Sequence, residues 1–279
     1  MHFPPFLMQV AQWAEMPLLA AVIFIPLERL WPWRRQQVLR AGWTTDLAYV
    51  LVNGLFIWVG MSAVLVVAMA AQRLWTPTGI TALVSRQPLW LQTIAALLVG
   101  DFCLYWAHRA LHRSPFLWRF HSIHHAVEEL DWAAAYHSHP IDAVILKGAA
   151  VLPIIVLGFS PIAIGIYMMI YGWVSLVVHS NIRVTAGPLR WFVSSSAFHR
   201  WHHSNEPEAR DRNFASIVSL WDFMFRTAFL PARRMPKVYG IDGGMPLAYA
   251  DQLLNPFRVR RRTAGLEPPG MDGMAKPAT

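Results

Sequence analysis

LWLQTIAALLVGDFCLYWAHRALH, residues 89–112, opens as an apolar run and closes on two histidines four residues apart. A membrane span needs roughly 20 apolar residues, and about Leu89 to Ala110 supplies them. At its end His108 and His112 form an HxxxH pair, and residues three or four apart on a helix share a face. The helix therefore brings two imidazoles to a membrane surface. Two further clusters follow, both HxxHH: His121, His124 and His125, then His199, His202 and His203. Neutral imidazole ligates iron, zinc, copper and nickel. These eight histidines are twice what a four-coordinate zinc site uses, so the count points to two metal ions at a membrane face.

The 279 residues are 55% hydrophobic and only 14% charged, against about 25% charged in soluble domains. A single cysteine, Cys103, excludes an internal disulfide and a thiolate metal cage. The net charge of +8 gathers between and after the apolar runs, which suits membrane orientation better than nucleic-acid binding. The N-terminus has no basic region before its first apolar run, so no cleaved signal peptide is expected. Spans are predicted at about Val10 to Leu30, Asp46 to Ala71 and Leu89 to Ala110. A fourth apolar stretch, Ala143 to Val178, is broken at Gly158-Phe159-Ser160-Pro161. Gly and Pro there predict a helical hairpin that enters and leaves by one face.

The fold expected is an all-α integral membrane protein with about three spans plus the broken hairpin. Residues 1–90 read as an N-terminal transmembrane region, 91–230 as a catalytic domain and 231–279 as a cytoplasmic tail. Disorder is expected from Asn255 onward, with the basic run from Arg258 to Arg262 against anionic headgroups. Lys and Arg in the short loops place residues 31–43, 108–142 and 181–279 in the cytoplasm. All the clustered histidines, and His179, then form a His-rich helical cap on one side.

Asp101 and Tyr105 precede His108 on the same helix face. A carboxylate at that depth is costly unless paired. A hydrogen bond to a ligating imidazole would satisfy it, and so would a structural one. The chain lacks HExxH, the Glu and ExxH pairs of soluble carboxylate di-iron bundles, GxGxxG and a P-loop. Reducing equivalents, if needed, must therefore come from elsewhere. A His-rich metal transporter or sensor and a metal-dependent lipid hydrolase are the competing readings. Transport sites sit near the midplane, where this chain has few polar residues: Asn53, Asp101 and Lys147. A hydrolase would need a general base, and none is obvious.

The run from Asp101 to His112, the His121-Ser122-Ile123-His124-His125 box, His139-Pro140, His179-Ser180-Asn181, the box from Phe198 to Ser204, Asn213-Phe214 and Trp221-Asp222 occur in this order. Together they resemble the fatty acid hydroxylase/sterol desaturase superfamily over residues 95 to 230. The resemblance implies a non-haem di-iron site at the cytoplasmic membrane face. It further implies O2-dependent hydroxylation or desaturation of a lipid, hydroxylation being the more expected. Electrons would come from a ferredoxin or small cytochrome. The ligands it implies are His108, His112, His121, His124, His125, His199, His202 and His203, with His179 added. His139 is read as a loop ligand or a donor to one, His137 as lying behind the ligands. Asp101, Tyr105 and Asp222 are the candidate catalytic or ligand-orienting groups. Phe225-Arg226-Thr227 and Asn213-Phe214-Ala215 depart from the family's Phe-Gly-Thr and Asn-Phe-Gly, which puts local loop shape in question.

Overall fold

The computed structural model describes residues 5–232 and 234–258, with side chains from Glu15 onward. Within these the regular structure is helical: α1 (Pro5–Leu30), α2 (Trp43–Trp75), α3 (Thr78–Ser85), α4 (Leu89–Arg113) and α5 (Pro115–His125). They are followed by α6 (Pro140–Val156), α7 (Pro161–His179), α8 (Ser196–His202), α9 (Leu220–Met224) and α10 (Tyr249–Leu254). Three of the described helices, α2, α4 and α7, are long and apolar enough to cross a membrane. Their outward faces carry Leu51, Val66 and Val67 on α2 and Leu98 on α4, all exposed. Such surface is stable against lipid rather than water.

Local chemistry sets the helix starts near the site. Ser114 accepts from the Leu117 N–H and Pro115 occupies the first position of α5. His139 with Pro140 does the same for α6, and Ser160 with Pro161 for α7. A side-chain acceptor satisfies an orphan N–H there, and proline has none to satisfy. The predicted break between α6 and α7 is present. Gly158 turns the chain at φ +85°, with Thr81 of α3 against it, and glycine adopts that conformation without a Cβ clash. Both open ends of the hairpin, Pro140 and His179, lie at the histidine end of the bundle.

The opposite end is tied by polar contacts between helices. Gln72 of α2 donates to the Ile155 carbonyl at 2.8 Å, and Gln92 of α4 accepts from the Ser160 N–H at 2.9 Å. Between the two ends α2 packs along α6. A Cβ on Gly60 would come within 2.4 Å of a Val144 methyl, so this crossing depends on a residue without a side chain. Residues 236–258 return to the same helices. Tyr249 donates to Asn53, Tyr49 bonds Gln252, and Thr45 bonds the Leu247 carbonyl. Asn255 and Pro256 are buried in a short 3-10 turn. The disorder expected from Asn255 onward therefore does not include this turn, and Val259 to Thr279 lie outside the described residues.

Candidate metal centre

α4, α5, α7 and α8 converge, and their histidines form two buried groups. His108, His112, His121, His125 and His202 make the first, and His124, His179, His199 and His203 the second. Within each group one ring nitrogen per residue lies within 4.8 Å of all the others. The helix period explains the split. In each HxxHH box the outer pair and the remaining histidine diverge around the helix, so α5 and α8 each feed both groups.

Hydrogen bonds behind the rings fix which nitrogen faces inward. The Nδ1 of His108 lies 2.7 Å from the Phe214 carbonyl, that of His124 2.9 Å from the His137 carbonyl. His179 Nδ1 reaches the Ser175 carbonyl at 2.7 Å, and His202 Nδ1 the Arg212 carbonyl at 2.8 Å. A carbonyl only accepts, so each Nδ1 carries the proton and each Nε2 presents a lone pair. His121 does likewise against the Asp142 carboxylate at 3.0 Å. The consequence is two lone pairs facing each other: His108 and His121 Nε2 are 3.0 Å apart, His124 and His179 Nε2 3.1 Å. That juxtaposition is repulsive unless a cation lies between them. Burial, with neighbouring imidazoles adding to it, holds His124, His125, His199, His202 and His203 well below the usual histidine range. They are neutral donors at pH 7, as metal ligands must be.

Neighbouring Nε2 atoms are 3.0 Å apart for His125 and His202, 3.0 Å for His179 and His199, and 3.1 Å for His199 and His203. Two groups of all-nitrogen donors are compatible with iron.

His139 is not brought into either group. Its Nδ1 accepts from the Ile141 N–H and its Nε2 faces the Leu253 carbonyl at 3.2 Å. Asp101 bonds no imidazole: it accepts from the Ile217 and Val218 N–H groups and from the Trp221 indole. Of the two readings the sequence left open for Asp101, the structure has the structural one, two backbone N–H groups in place of an imidazole. Asp222 accepts from the Phe214 and Ala215 N–H groups and from Thr227. It thereby fixes the loop segment whose Phe214 carbonyl holds His108. Tyr105 bonds Thr227 at 2.9 Å and packs on Phe225. Burial raises the Asp222 carboxyl to about 6.

Sequence reasoning missed the group that most directly touches a ligand, Asp142. It also missed the chain behind His137. Arg40 is buried between Asp46 and Asp131, Asp46 bonds the His137 ring, and the His137 carbonyl holds His124. Arg200, inside the last box, is fully buried and donates to the carbonyls of Leu130 and Ser180 and to Asn181. Its place in the His199–His203 box was a usable signal, since a charge there must find acceptors.

An apolar cavity of about 370 Å³ opens beside the histidines, lined by α2, α4, α6 and α7. His108, His121, His124, His179 and His199 form one wall, and Ile57, Trp58, Leu104 and Leu146 contribute to the rest. A separate crevice of about 40 Å³, sharing no lining residue with the cavity, reaches His112, His125 and His202 past Arg210, Asp211 and Asp242.

Helices long and apolar enough to cross a membrane thus bring together two buried histidine groups that could hold metal ions, beside a cavity. The fatty acid hydroxylase family model matches residues 93–227. Ornithine lipid hydroxylase OlsE of Rhizobium tropici is 29% identical over 272 residues, 92% of this chain and 80% of that protein. Alkylglycerol monooxygenases of Caenorhabditis elegans and Xenopus tropicalis are 30% and 26% identical over 53% and 57% of the chain. Of those two proteins the chain spans only 29% and 34%. No solved structure matches significantly. The family model over residues 93–227 and these relatives support the fatty acid hydroxylase/sterol desaturase superfamily and an oxidoreductase.

Proposed function

We propose that the protein hydroxylates a C–H bond of a membrane lipid with O2, using two iron ions and electrons supplied by a separate ferredoxin or small cytochrome. The observation that carries this reading is the pairing of inward lone pairs in both histidine groups beside an apolar cavity. His108, His112, His121, His125 and His202 would hold one ion, and His124, His179, His199 and His203 the other. Iron supplies the O2-derived oxidant that an unactivated C–H bond requires, which zinc, having no redox chemistry, does not.

The chain's own residues do the rest. Asp142 and the backbone carbonyls hold the ligand tautomers, which fixes the rings and raises their basicity. The apolar walls keep water from the reacting carbon. The OlsE match favours a polar-headed lipid. The crevice at Arg210 reaches the five-histidine group through residues that the cavity does not share, so a donor and a lipid would not compete for space. A hydrolase is disfavoured because Asp142, the carboxylate among the residues lining the cavity, has its oxygens on His121 and Ser138.

The test is turnover of a bacterial lipid extract under 18-labelled O2 with ferredoxin and its reductase. One labelled oxygen in the product is expected, where a desaturase would leave none. Turnover without O2, or by protein containing only zinc, would overturn the oxygenase reading.

A further inference from the structure

Nothing in the reaction proposed above uses Lys147. It lies on α6 five residues beyond Asp142, about 7.5 Å further along the axis, and lines the same cavity as the histidines. Among the described residues its ammonium has neither a hydrogen-bond partner nor a counter-ion. The one carboxylate in the lining, Asp142, is engaged by His121 and Ser138. Ile57, Trp58, Leu104 and Leu146 line that cavity along with neutral polar groups such as Asn53 and Ser175, and an ammonium left without a counter-ion there is unfavourable. The phenol of Tyr171 enters the same cavity, also without a hydrogen-bond partner. Tyr171 shares its face of α7 with Ser175 and His179, since residues at four-residue spacing align. One cation and one neutral donor, both unused, in an apolar space beside a metal site make a receptor for an oxyanion.

We infer that Lys147 binds a carboxylate on the lipid substrate, with Tyr171 as a second donor. The substrate is then an acidic amphiphile anchored one and a half helical turns from the histidine groups. Space for the remainder of such a molecule exists. Pro17 and Val50 line both this cavity and a groove of about 320 Å³ between α1 and α2. This inference rests on the lipid reading above for the kind of molecule bound, and is independent of the oxidation chemistry.

The experiment measures binding without turnover. Full-length metal-loaded protein, anaerobic and without reductant, is equilibrated in neutral detergent with radiolabelled oleic acid, methyl oleate or oleyl phosphate. Wild type should hold oleate at least tenfold tighter than methyl oleate, and no more weakly than oleyl phosphate. K147M should abolish that preference and leave methyl oleate binding unchanged; K147R should keep most of it, and Y171F should reduce it a few-fold. Equal retention of acid and ester by wild type, a preference that survives in K147M, or a marked preference for the phosphate would overturn the assignment. Acid preference without O2-dependent turnover would sink the oxygenase and spare Lys147. Lipid turnover without acid preference would do the reverse.

Discussion

At the scale of the residue, a histidine in this molecule is defined by what stands behind its ring. His202 and His139 are both buried, yet the first points a lone pair into a group of five and the second caps a helix. H202A should therefore lower bound metal, while H139A should leave metal content unchanged and weaken only the start of α6. Elemental analysis of the two purified variants decides this, and metal loss in H139A would refute the assignment. Asp142 acts through His121, so D142N should weaken metal retention about 10- to 100-fold in a chelator competition. Retention equal to wild type would show that the carboxylate does not orient the ligand. The departure at Arg226 is also physical. Its φ is +59°, a left-handed conformation costing a non-glycine residue roughly 1–2 kcal/mol. Since Arg226 is exposed, R226G should raise the unfolding temperature by about 2 °C or more. A lower value would mean that the arginine side chain contributes more than the backbone costs.

Among the helices, the sequence told which faces carry histidines but not how those faces meet. The HxxHH spacing made His121, His124 and His125 neighbours that diverge around α5; which histidines complete each group follows only from how α4, α5, α7 and α8 converge. Asp142 and Asp101 were illegible for the same reason. Their partners are 21 and more than a hundred residues away in the chain, and no local pattern encodes such a pairing. The hairpin was legible because Gly158 and Pro161 act locally on backbone angles. Close approach of α2 and α6 is again non-local, resting on Gly60 beneath Val144. G60A should destabilise the bundle by about 1–3 kcal/mol through overpacking. Adding V144A should recover much of the loss, because it removes the methyls that collide. Thermal unfolding of the pair tests this; additive losses would mean that the crossing is not limited by that contact.

For the whole molecule, the decisive property is that its two ends differ in chemistry. Histidine groups, the start of α6 and the end of α7 share one end. The tip of the hairpin, α3 and the Gln72 and Gln92 contacts share the other. Three helices between them are long and apolar enough to span, so the two ends belong on opposite sides of a bilayer. The positive-inside rule assigns the side: Arg34, Arg35, Arg109, Arg113 and Arg119 lie toward the histidine end, and Arg73 and Arg86 toward the other. The histidine end is thus predicted to be cytoplasmic, where a soluble electron donor is available. Single cysteines in a C103S background test it. Glu208 and Thr78 are exposed at the two ends. In intact cells an impermeant maleimide should modify T78C, and should reach E208C only after permeabilisation. Modification of E208C from outside would invert the assignment, and would require the donor to act on the far side of the membrane.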